Sequence, residues 1–548
     1  MKPILVIGGY GGFGARLSRR LAAAGHLVLA AGRSLERAEA FCAGAPGCTP
    51  LFADRKGDLA GLLERTAPAL VIDAAGPFQD GDLGVPRACI AAGVSYLDLA
   101  DSRGFVRSIT VLDVAARAAG VSVIAGASSV PALSGAVVRS LAEGMQDVRA
   151  IEIAISASNR ATAGASVAAA ILSYVGRPIA LWSGGRWGTG YGWQEMRRER
   201  FDLANAPGLE PRLVALAETP DLDLLPDRVV GNPAVAFRAG TELDFQNRAL
   251  WLASWPVRRG WLCSLAPAAR WLSPAQRLTA RLGGDASGMV VRVFGIMGDQ
   301  PVERRWTLVA RDGDGPEIPT LAAAILAARV LAGGVPPGAR DAGEQLTLDD
   351  FAPAFAHLSI VHESVTCPLP PSLHARVMGA RFNRLAPAVR AMHDVLRDGG
   401  ARGEATVRAG SNPIARLVAR IMRFPPPGDH PLHVAFAERD GVERWTRDFG
   451  GRRFRSTLTE HDRRLAERFG PLRFVSDLPG DEEGGLRMVM RGWSAFGVPL
   501  PLALAPRSEA REWEEAERFR FDVPIALPLV GMIVHYTGWL APIGGDRH

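Results

Sequence analysis

Apolar and amphipathic segments alternate regularly along the first part of the chain. Residues 3–8 form an unbroken apolar run, as expected of a strand that is buried on both faces of a parallel sheet. In the next segment, 12–24, Phe13, Leu17 and Leu21 recur at helical spacing, with arginines on the opposite face. The two segments together predict a strand followed by an amphipathic helix.

The same strand-and-helix pattern repeats as far as residue 127. Further strands are predicted at 26–32, 49–53, 69–76, 95–101 and 121–127, and further helices at 34–43, 57–65, 83–92 and 105–119. Six strands that alternate with helices are typical of an α/β fold with a Rossmann-type, doubly wound parallel sheet. We assign this sheet to a first domain, 1–135.

The pattern changes after Pro131 to that of a mixed α+β domain, which we place at 136–366 and expect to bind substrate or mediate dimerisation. Its predicted elements are a half-exposed strand at 149–156, neighbouring strands at 289–297 and 304–311 with a turn at Gly298–Asp299, and an alanine-rich helix at 320–334. We expect this last helix to return and pack on the first domain.

The remaining segment, 367–548, predicts a C-terminal, mostly-β domain. A helical opening, 372–398, precedes many short strands that are separated by turns. The stretch 523–542 comes nearest to the length of a membrane span, but it contains three prolines and His535. We therefore interpret it as a pair of strands.

The charge distribution and the cysteines limit the partners and the cellular compartment that we expect for this protein. The net charge of +6 is modest for 548 residues, and the arginines are interleaved with acids, so we expect no nucleic-acid partner. The five cysteines include no CxxC pair, which favours free thiols in a reducing compartment. We expect a cytoplasmic homo-oligomer without a signal peptide, and no metal site, since no tight ligand spacing occurs.

A glycine-rich turn lies between the first strand and the first helix. Gly8, Gly11 and Gly14 have GxxGxxG spacing, which lets the backbone turn sharply and approach a pyrophosphate at the start of a helix. The predicted cofactor-binding loop comprises Gly8, Tyr10, Gly11, Gly12, Phe13 and Gly14. The surrounding strand-and-helix alternation is the context that this motif requires. The sequence therefore predicts a dinucleotide site, with a merely tight structural turn as the alternative.

The end of the second predicted strand favours NADP over NAD. Where an NAD site usually has an acid for the ribose 2′-hydroxyl, this chain has Arg33, whose guanidinium suits a 2′-phosphate. Ser34 adds a hydroxyl and Arg37 lies one helical turn further on. The alternative interpretation of Arg33 is a solvent-facing residue of an arginine-rich protein.

Two further positions complete the predicted cofactor site. Asp54 follows the third strand, where it can bind an adenine amino group or cap the next turn. The fourth strand ends in small residues where a cofactor ribose and pyrophosphate would lie. These residues are Ala75, Gly76, Pro77 and Phe78.

Three motifs in order make residues 1–365 similar to the saccharopine-dehydrogenase-like reductases. They are the glycine loop, the segment VIDAAGPFQDGDLGVPRACIAAGVSYLDLAD and the segment IAGASSVPALSGAVV. Where many relatives have Gly-Glu after Tyr-x-Asp, this chain has Ala100-Asp101. The C-terminal third resembles a bacterial domain of unknown function that is often fused behind such reductases, through motifs such as WTRDFGGRRFRS and FDVPIALPLVG.

Candidate catalytic residues follow from the rule that substrates bind at the carboxyl ends of the strands. Tyr96 and Asp98 share one face of the fifth strand, and Tyr191 lies in a glycine-rich segment that could supply a proton donor. Asp101, Ser128 and Ser129 are further candidates. The alternative interpretation puts Tyr96 in the core and has the serines cap a helix near Pro131.

The segment 247–273 combines tryptophan with arginine. The residues concerned are Trp251, Trp255, Trp261, Trp271, Arg258, Arg259 and Arg270. This composition fits peripheral contact with the inner face of a membrane, or an internal hydrophobic surface such as a cleft or domain interface. The internal surface is the favoured interpretation.

The resemblance implies an NADP-dependent oxidoreductase, with NAD as the less expected cofactor. Because the family includes a branch that resembles trans-acting enoyl reductases of lipid synthesis, we expect reduction of a C=C or C=O bond in an apolar, lipid-like or polyketide-like small molecule. One alternative is an amino-acid imine reductase of the saccharopine type, which is disfavoured because no set of arginines is clearly placed to hold two carboxylates. Another is a non-catalytic protein that senses nucleotide or binds lipid.

Overall fold

The computed structural model describes residues 2–79, 81–160, 165–268 and 279–543, in which the strands form three large sheets and one separate hairpin. The elements of the first part are β1 (Ile4–Ile7), α1 (Gly12–Ala23), β2 (Val28–Gly32), α2 (Leu35–Cys42), β3 (Cys48–Phe52), α3 (Leu59–Thr66), β4 (Leu70–Asp73), α4 (Gly84–Ala91), β5 (Ser95–Asp98), α5 (Arg103–Ser108), α6 (Asp113–Ala118), β6 (Ser122–Ala125) and α7 (Ser134–Ala142).

The middle part begins at Asp147. Its elements are β7 (Asp147–Ala157), α8 (Ala165–Tyr174), β8 (Pro178–Ser183), β9 (Arg186–Tyr191), β10 (Arg197–Phe201), β11 (Leu209–Leu216), α9 (Asp221–Arg228), β12 (Ala234–Thr241), α10 (Asp244–Arg258), β13 (Ser287–Met297), β14 (Gln300–Ala310), α11 (Ile318–Leu331), β15 (Gly338–Asp341), α12 (Ala352–Ala356) and β16 (Ile360–Pro368).

The last part begins with two short helices. Its elements are α13 (Leu373–Met378), α14 (Pro387–His393), β17 (Asp398–Ala409), α15 (Pro413–Ile421), β18 (Gly428–Arg439), β19 (Val442–Phe449), β20 (Arg452–His461), β21 (Arg464–Phe469), β22 (Leu472–Asp477), β23 (Leu486–Arg487), β24 (Val489–Ala495), β25 (Val498–Leu500), β26 (Arg511–Glu515), β27 (Arg518–Leu527) and β28 (Gly531–Pro542).

The first sheet is parallel, in the order β3-β2-β1-β4-β5-β6-β15, and it confirms the predicted doubly wound fold. Strands β1 and β4 are buried at every position, which explains their continuous apolar sequences. The seventh strand, β15, was not predicted, because it follows the middle part of the chain. It pairs with β6 over Gly338–Asp341, and the preceding helix α11 packs against α1, where Glu317 pairs with Arg20 at 2.8 Å.

One predicted helix of the first domain is interrupted. The expected helix at 105–119 is divided into α5 and α6 by a 3-10 turn at Ile109–Leu112. Ile109 is fully buried, and the turn contacts β15. Asp113, the first residue of α6, accepts a hydrogen bond from the Ala339 N–H at 2.9 Å. The interruption therefore lets this segment pack against β15, a strand that is distant in the sequence.

The second sheet is mixed, in the order β10-β11-β12-β7-β13-β14-β16. Strands β7 and β12 are parallel, whereas β13 and β14 form the predicted antiparallel pair around Gly298–Asp299. The short strands β8 and β9 form the separate hairpin. The turn of this hairpin is the point at which the third domain docks.

The third sheet is antiparallel, in the order β23-β26-β27-β28-β17-β18-β19-β20-β21-β22-β24-β25, and it confirms the predicted mostly-β domain. The segment 523–542 falls in the paired strands β27 and β28, as expected. The helical opening is shorter than predicted, since α14 ends at His393 and β17 begins at Asp398.

Backbone contacts dock the third domain on the middle one. The Gly184 N–H donates to Asp398 at 2.7 Å, and the Gly184 carbonyl contacts His433 Nε2 at 2.8 Å. A Cβ atom on Gly400 would lie 2.0 Å from that carbonyl oxygen, so the two backbones meet without room for a side chain. This approach holds the third domain against the β8–β9 hairpin.

A buried ion-pair network adds a charged contact between the same two domains. Glu152, on β7, accepts from Arg197 at 2.8 Å and from Arg439, on β18, at 2.9 Å. Burial alone would raise the pKa of Glu152, but the two arginines outweigh that effect and hold the pKa well below its ordinary range. Glu152 is therefore ionised and shared between the domains.

We expect Glu152→Gln to destabilise the protein by about 1–3 kcal/mol, because Arg439 loses its carboxylate partner and Arg197 keeps only Glu199. The free energy of unfolding from urea denaturation checks this value. Glu64→Gln, at an exposed position of α3, is the matched control and should change that free energy by less than about 0.5 kcal/mol. A loss below about 1 kcal/mol in the Glu152 variant would contradict the proposed role of the network.

Candidate cofactor and active site

The glycine-rich turn packs so closely that side chains are excluded from it. A Cβ atom on Gly14 would lie 2.0 Å from the Gly8 carbonyl oxygen, and one on Gly8 would lie 2.9 Å from Ala75 Cα. Gly8 also has φ of +76°, in the region that favours glycine. Helix α1 begins at Gly12 without a side-chain cap and without an acid in its first turn. Its first N–H groups are thus suited to an anionic pyrophosphate.

Tyr10 lies across the end of β2. Its hydroxyl accepts a hydrogen bond from the Ser34 N–H at 2.8 Å, and the guanidinium of Arg37 lies 5.3 Å from its ring centroid. A Cβ atom on Gly32 would lie 2.4 Å from the Tyr10 hydroxyl, so glycine is required there for this contact. Tyr10 therefore connects the glycine-rich turn with the start of α2.

Arg33 and Arg37 are both exposed at the end of β2, where the sequence predicts the 2′-phosphate. The Ser34 hydroxyl accepts from the Arg37 N–H at 3.3 Å and caps α2. Asp54 accepts from the Lys56 N–H at 3.1 Å, which corresponds to the turn-capping alternative. The adenine contact predicted for Asp54 stays a prediction.

Arg55 is a site residue that sequence reasoning missed. It lies 3.0 Å from a carboxylate oxygen of Asp73, donates to the Ala75 carbonyl at 2.8 Å and stacks over Phe78 at 4.9 Å. Burial raises the pKa of Asp73, and the charge of Arg55 offsets part of that rise. Arg55 thereby fixes the end of β4, where Ala75 and Gly76 are half-buried and Pro77 is exposed. Its position directly after the third strand is the sequence feature that could have identified Arg55 as a site residue.

Tyr96 and Asp98 are both fully buried. Tyr96 packs in the core with Cys89 of α4, and burial together with the neighbouring Asp98 raises its pKa well above the ordinary value. Asp98 accepts from the N–H groups of Gly126 at 2.7 Å and Ala100 at 2.9 Å. Neither side chain reaches solvent, so the geometry favours a role in positioning the strand ends. Their catalytic roles stay predictions.

An open cleft of about 430 Å³, with Arg103 and Trp187 in its wall, lies beyond β5, and Asp101 precedes it in the chain. Asp101 is exposed, its carboxylate accepts from Gln79 at 3.1 Å, and neighbouring protein atoms raise its pKa by partly desolvating it. Tyr174, at the end of α8, is nearly buried, and burial together with the charges of Asp101 and Glu218 raises its pKa. The structure thus brings together a carboxyl group, an amide and a phenol from two domains. Tyr174 gave no signal in the sequence.

Arg103 connects the wall of this cleft with the middle domain. Its guanidinium donates to Asp223 at 2.7 Å and to the Ala180 carbonyl at 2.8 Å, and it lies 5.6 Å from the ring centroid of Trp187. Trp187 in turn makes an edge contact with Trp182 at 5.6 Å. The wall of the cleft is therefore partly aromatic, and the charge of Arg103 is already paired.

The remaining candidates are Ser128, Ser129 and Tyr191. Ser128 is nearly buried and caps no helix by its side chain, and Ser129 is half-buried. Tyr191 lies at the end of β9 with its ring centroid 4.5 Å from the Arg258 guanidinium of α10. The catalytic role of Tyr191 stays a prediction.

In the tryptophan–arginine segment, the side chains pack against one another along α10. Trp255 makes an edge contact with Trp251 at 5.8 Å, and Arg258 and Arg259 lie 5.0 and 5.8 Å from its ring centroid. Trp251 packs against the core, whereas Trp261 is 71% exposed. The predicted residues Arg270 and Trp271 lie outside the described residues. Contact with a membrane stays a prediction.

Two kinds of feature are absent from the described parts of the chain. Among those residues, no three His, Cys, Asp or Glu side chains are grouped so as to hold a metal ion. None of the helices formed by those residues has the length and apolar character needed to cross a membrane.

Both ends of the chain match known family models. Residues 4–125 match the Saccharopine dehydrogenase NADP binding domain, and residues 385–540 match a domain of unknown function, DUF4166. The resemblance found from the motifs is confirmed for these two segments. The first match supports an oxidoreductase that binds NADP(H). Comparison with curated proteins gave no match.

Three solved structures are distantly similar to this chain. The chain is 14% identical to an amine dehydrogenase from Mycobacterium smegmatis, over 64% of this chain and 96% of that one, with a TM-score of 0.33. For GenD2 from gentamicin A biosynthesis, in complex with NAD, the identity is 18%, the coverage 54% and 70%, and the TM-score 0.26. A UDP-glucose-4-epimerase from Stenotrophomonas maltophila with bound NAD is 23% identical, over 19% of this chain and 38% of its own, with a TM-score of 0.17. Identities and TM-scores at this level assign no function to the chain.

We expect Asp98→Asn to change how stability depends on pH. Burial raises the pKa of Asp98 from 3.8 to about 7, so the folded protein binds this proton more tightly than the unfolded chain. The resulting stabilisation is complete below about pH 4 and is lost as the pH rises through about 7. The free energy of unfolding of the parent minus that of the variant should therefore fall across this window and level off above it.

Urea denaturation at several pH values measures that difference. Asp312→Asn is the control, because Asp312 is exposed and its φ of +52° suits asparagine equally well. A difference for Asp98→Asn that stays constant between pH 4 and 7 would contradict the raised pKa.

Proposed function

We propose that this chain, which begins with a saccharopine dehydrogenase NADP-binding domain, reduces a C=C or C=O bond of an apolar, lipid-like or polyketide-like substrate with NADPH. The observation that carries the proposal is the glycine-lined start of α1 next to the exposed Arg33 and Arg37. The turn offers main-chain N–H groups to a pyrophosphate, and the two arginines offer a site for a 2′-phosphate. The residues present therefore fit NADP(H).

Side chains near the end of β5 supply the groups that such a reduction requires. NADPH, when bound, supplies the hydride. Asp101 has a raised pKa, which makes it a better proton donor near neutral pH than an ordinary carboxyl group, and Gln79 holds it in place. Tyr174 stays protonated and donates a hydrogen bond to an oxygen that gains negative charge. Arg55 keeps the end of β4 in register with the cofactor site.

An apolar substrate agrees with the surroundings of Asp101. Arg103, two residues further on, is already paired with Asp223 and so is not free to hold a substrate carboxylate. Trp187 and Trp182 present aromatic surface on the same side, and Trp187 is 48% exposed. These contacts favour a lipid-like substrate over a dicarboxylic imine.

The NADP preference is tested with Arg33→Glu. A lost charge-assisted contact is worth about 1.5–3 kcal/mol, so we expect the Kd for NADPH to rise about 10- to 100-fold while that for NADH changes little. Isothermal titration calorimetry measures both constants. Arg87→Glu, at an exposed position of α4, is the control and should leave both unchanged. An unaltered NADPH affinity in the Arg33 variant would refute the assignment.

The proton-donor role is tested with Asp101→Asn. We expect kcat for NADPH oxidation with a panel of medium-chain 2-enoyl and 3-oxoacyl thioesters to fall about 100-fold, with NADPH affinity retained. In the parent, activity should fall as the pH rises through the pKa of Asp101, because the protonated form is the donor. Asp299→Asn, in the exposed β13–β14 turn, is the control. Tight NADPH binding by the parent without turnover of any substrate would instead indicate a nucleotide-sensing protein.

A further inference from the structure

A cavity of about 190 Å³ lies inside the third domain, beneath helix α15. Its walls come from strands at both ends of the twelve-stranded sheet, which means that the sheet curls around it. Val418 of α15 and Met422, directly after the helix, line the cavity. They lie together with Phe474 and Met490 from one end of the sheet and Ile525 from the other. The cavity is separate from the cofactor site, which lies in the first domain.

The walls of the cavity are chemically suited to hydrocarbon. Most of its lining side chains are aliphatic, aromatic or methionine, and the few polar ones include Glu467, whose charge is paired with Arg447 at 3.4 Å. An apolar cavity of about 150 Å³ stays dry and binds small apolar molecules, so a slightly larger one does not need water to fill it. Flexible methionines such as Met422 and Met490 adapt to a chain of variable shape.

The size of the cavity favours a thin ligand. Pockets for drug-sized molecules span about 300–1,000 Å³, which is well above the volume found here. A multi-ring molecule of drug size would therefore not be enclosed, whereas a segment of a single alkyl chain would. The ligand is best described as one acyl chain whose polar end stays outside.

Helix α15 provides both an entrance and a site for that polar end. Ile414, Leu417 and Ile421 form an exposed apolar stripe along the helix. Arg416 and Arg420 lie on its other exposed side. Apolar residues next to arginines are typical of a helix that rests at a lipid–water interface and attracts anionic headgroups.

A second exposed apolar element lies next to this helix. Leu529, at the tip of the β27–β28 turn, is completely exposed. The Asn412 side chain, which caps α15, donates to the Val530 carbonyl at 3.2 Å and joins that turn to the start of the helix. This hydrogen bond holds the turn that carries Leu529 next to the start of α15.

We propose that the third domain holds the acyl chain of a fatty acid or lipid in this cavity, with the carboxylate or headgroup beside the arginines of α15. The proposal does not depend on the reductase function, because the cavity and the cofactor site share no residue. A chain-binding domain fused to a reductase would keep an apolar substrate close to the enzyme.

The first experiment measures binding of cis-parinaric acid to the full-length protein by its fluorescence. We expect saturable binding that decanoate displaces. Ile525→Trp fills the cavity and should weaken binding at least 10-fold, whereas Val442→Trp, at an exposed position of β19, should leave it unchanged. The thermal midpoint and NADPH affinity of each variant report on folding.

Met490→Ala gives a result that does not depend on blocking the cavity. The smaller side chain enlarges the cavity, so we expect tighter binding of branched acyl chains relative to cis-parinaric acid. No saturable binding by the parent, or identical binding by the parent, Ile525→Trp and Met490→Ala, would overturn the proposal. Either result would leave the NADPH measurements on Arg33→Glu unaffected.

A vesicle experiment distinguishes the source of the chain. Phosphatidylglycerol vesicles that carry parinaroyl lipid are mixed with the parent and with Leu417→Asp, which interrupts the apolar stripe of α15. Slower uptake by the variant, with unchanged binding of free cis-parinaric acid, indicates a membrane lipid. Binding of free acid alone, with no uptake from vesicles by either protein, indicates a fatty acid taken from solution.

Discussion

The close approach of three backbone segments at the glycine-rich turn is the constraint on which the cofactor site depends. Gly14 lies against the Gly8 carbonyl, and Gly8 lies against Ala75 at the end of β4. Because β1 and β4 are neighbours in the sheet, the same contact fixes the start of α1 and the exit of β4 relative to each other. Arg55 then holds that exit from the other side. Because β5 is the neighbour of β4 in the sheet, this arrangement also positions the open cleft beyond β5.

Charged pairs between distant segments hold the domains around that cleft. Arg103 of the first domain pairs with Asp223 of the middle one, and Glu152 of the middle domain is shared with Arg439 of the third. Such pairs are directional, and a buried one tolerates little displacement because its partner would lose its counter-charge. The middle domain therefore sets the position of Tyr174 opposite Asp101.

The first and third domains suit ligands of opposite chemical character. The first domain presents main-chain N–H groups and arginines, which suit a phosphorylated coenzyme. The third domain encloses an apolar cavity beneath an amphipathic helix, which suits a hydrocarbon chain. A protein with both can bring a water-soluble reductant and a poorly soluble substrate together. The aromatic wall near Trp187 is consistent with that combination.

The sequence by itself determined the six strands of the first sheet, because strands buried on both faces need continuous apolar residues. It also determined the glycine-rich turn, whose requirements are local. Only the tertiary structure revealed β15, Tyr174 and the apolar cavity, because each depends on contacts between segments far apart in the chain. The period of two placed Tyr96 and Asp98 on one face, but their complete burial is decided by packing in the tertiary structure.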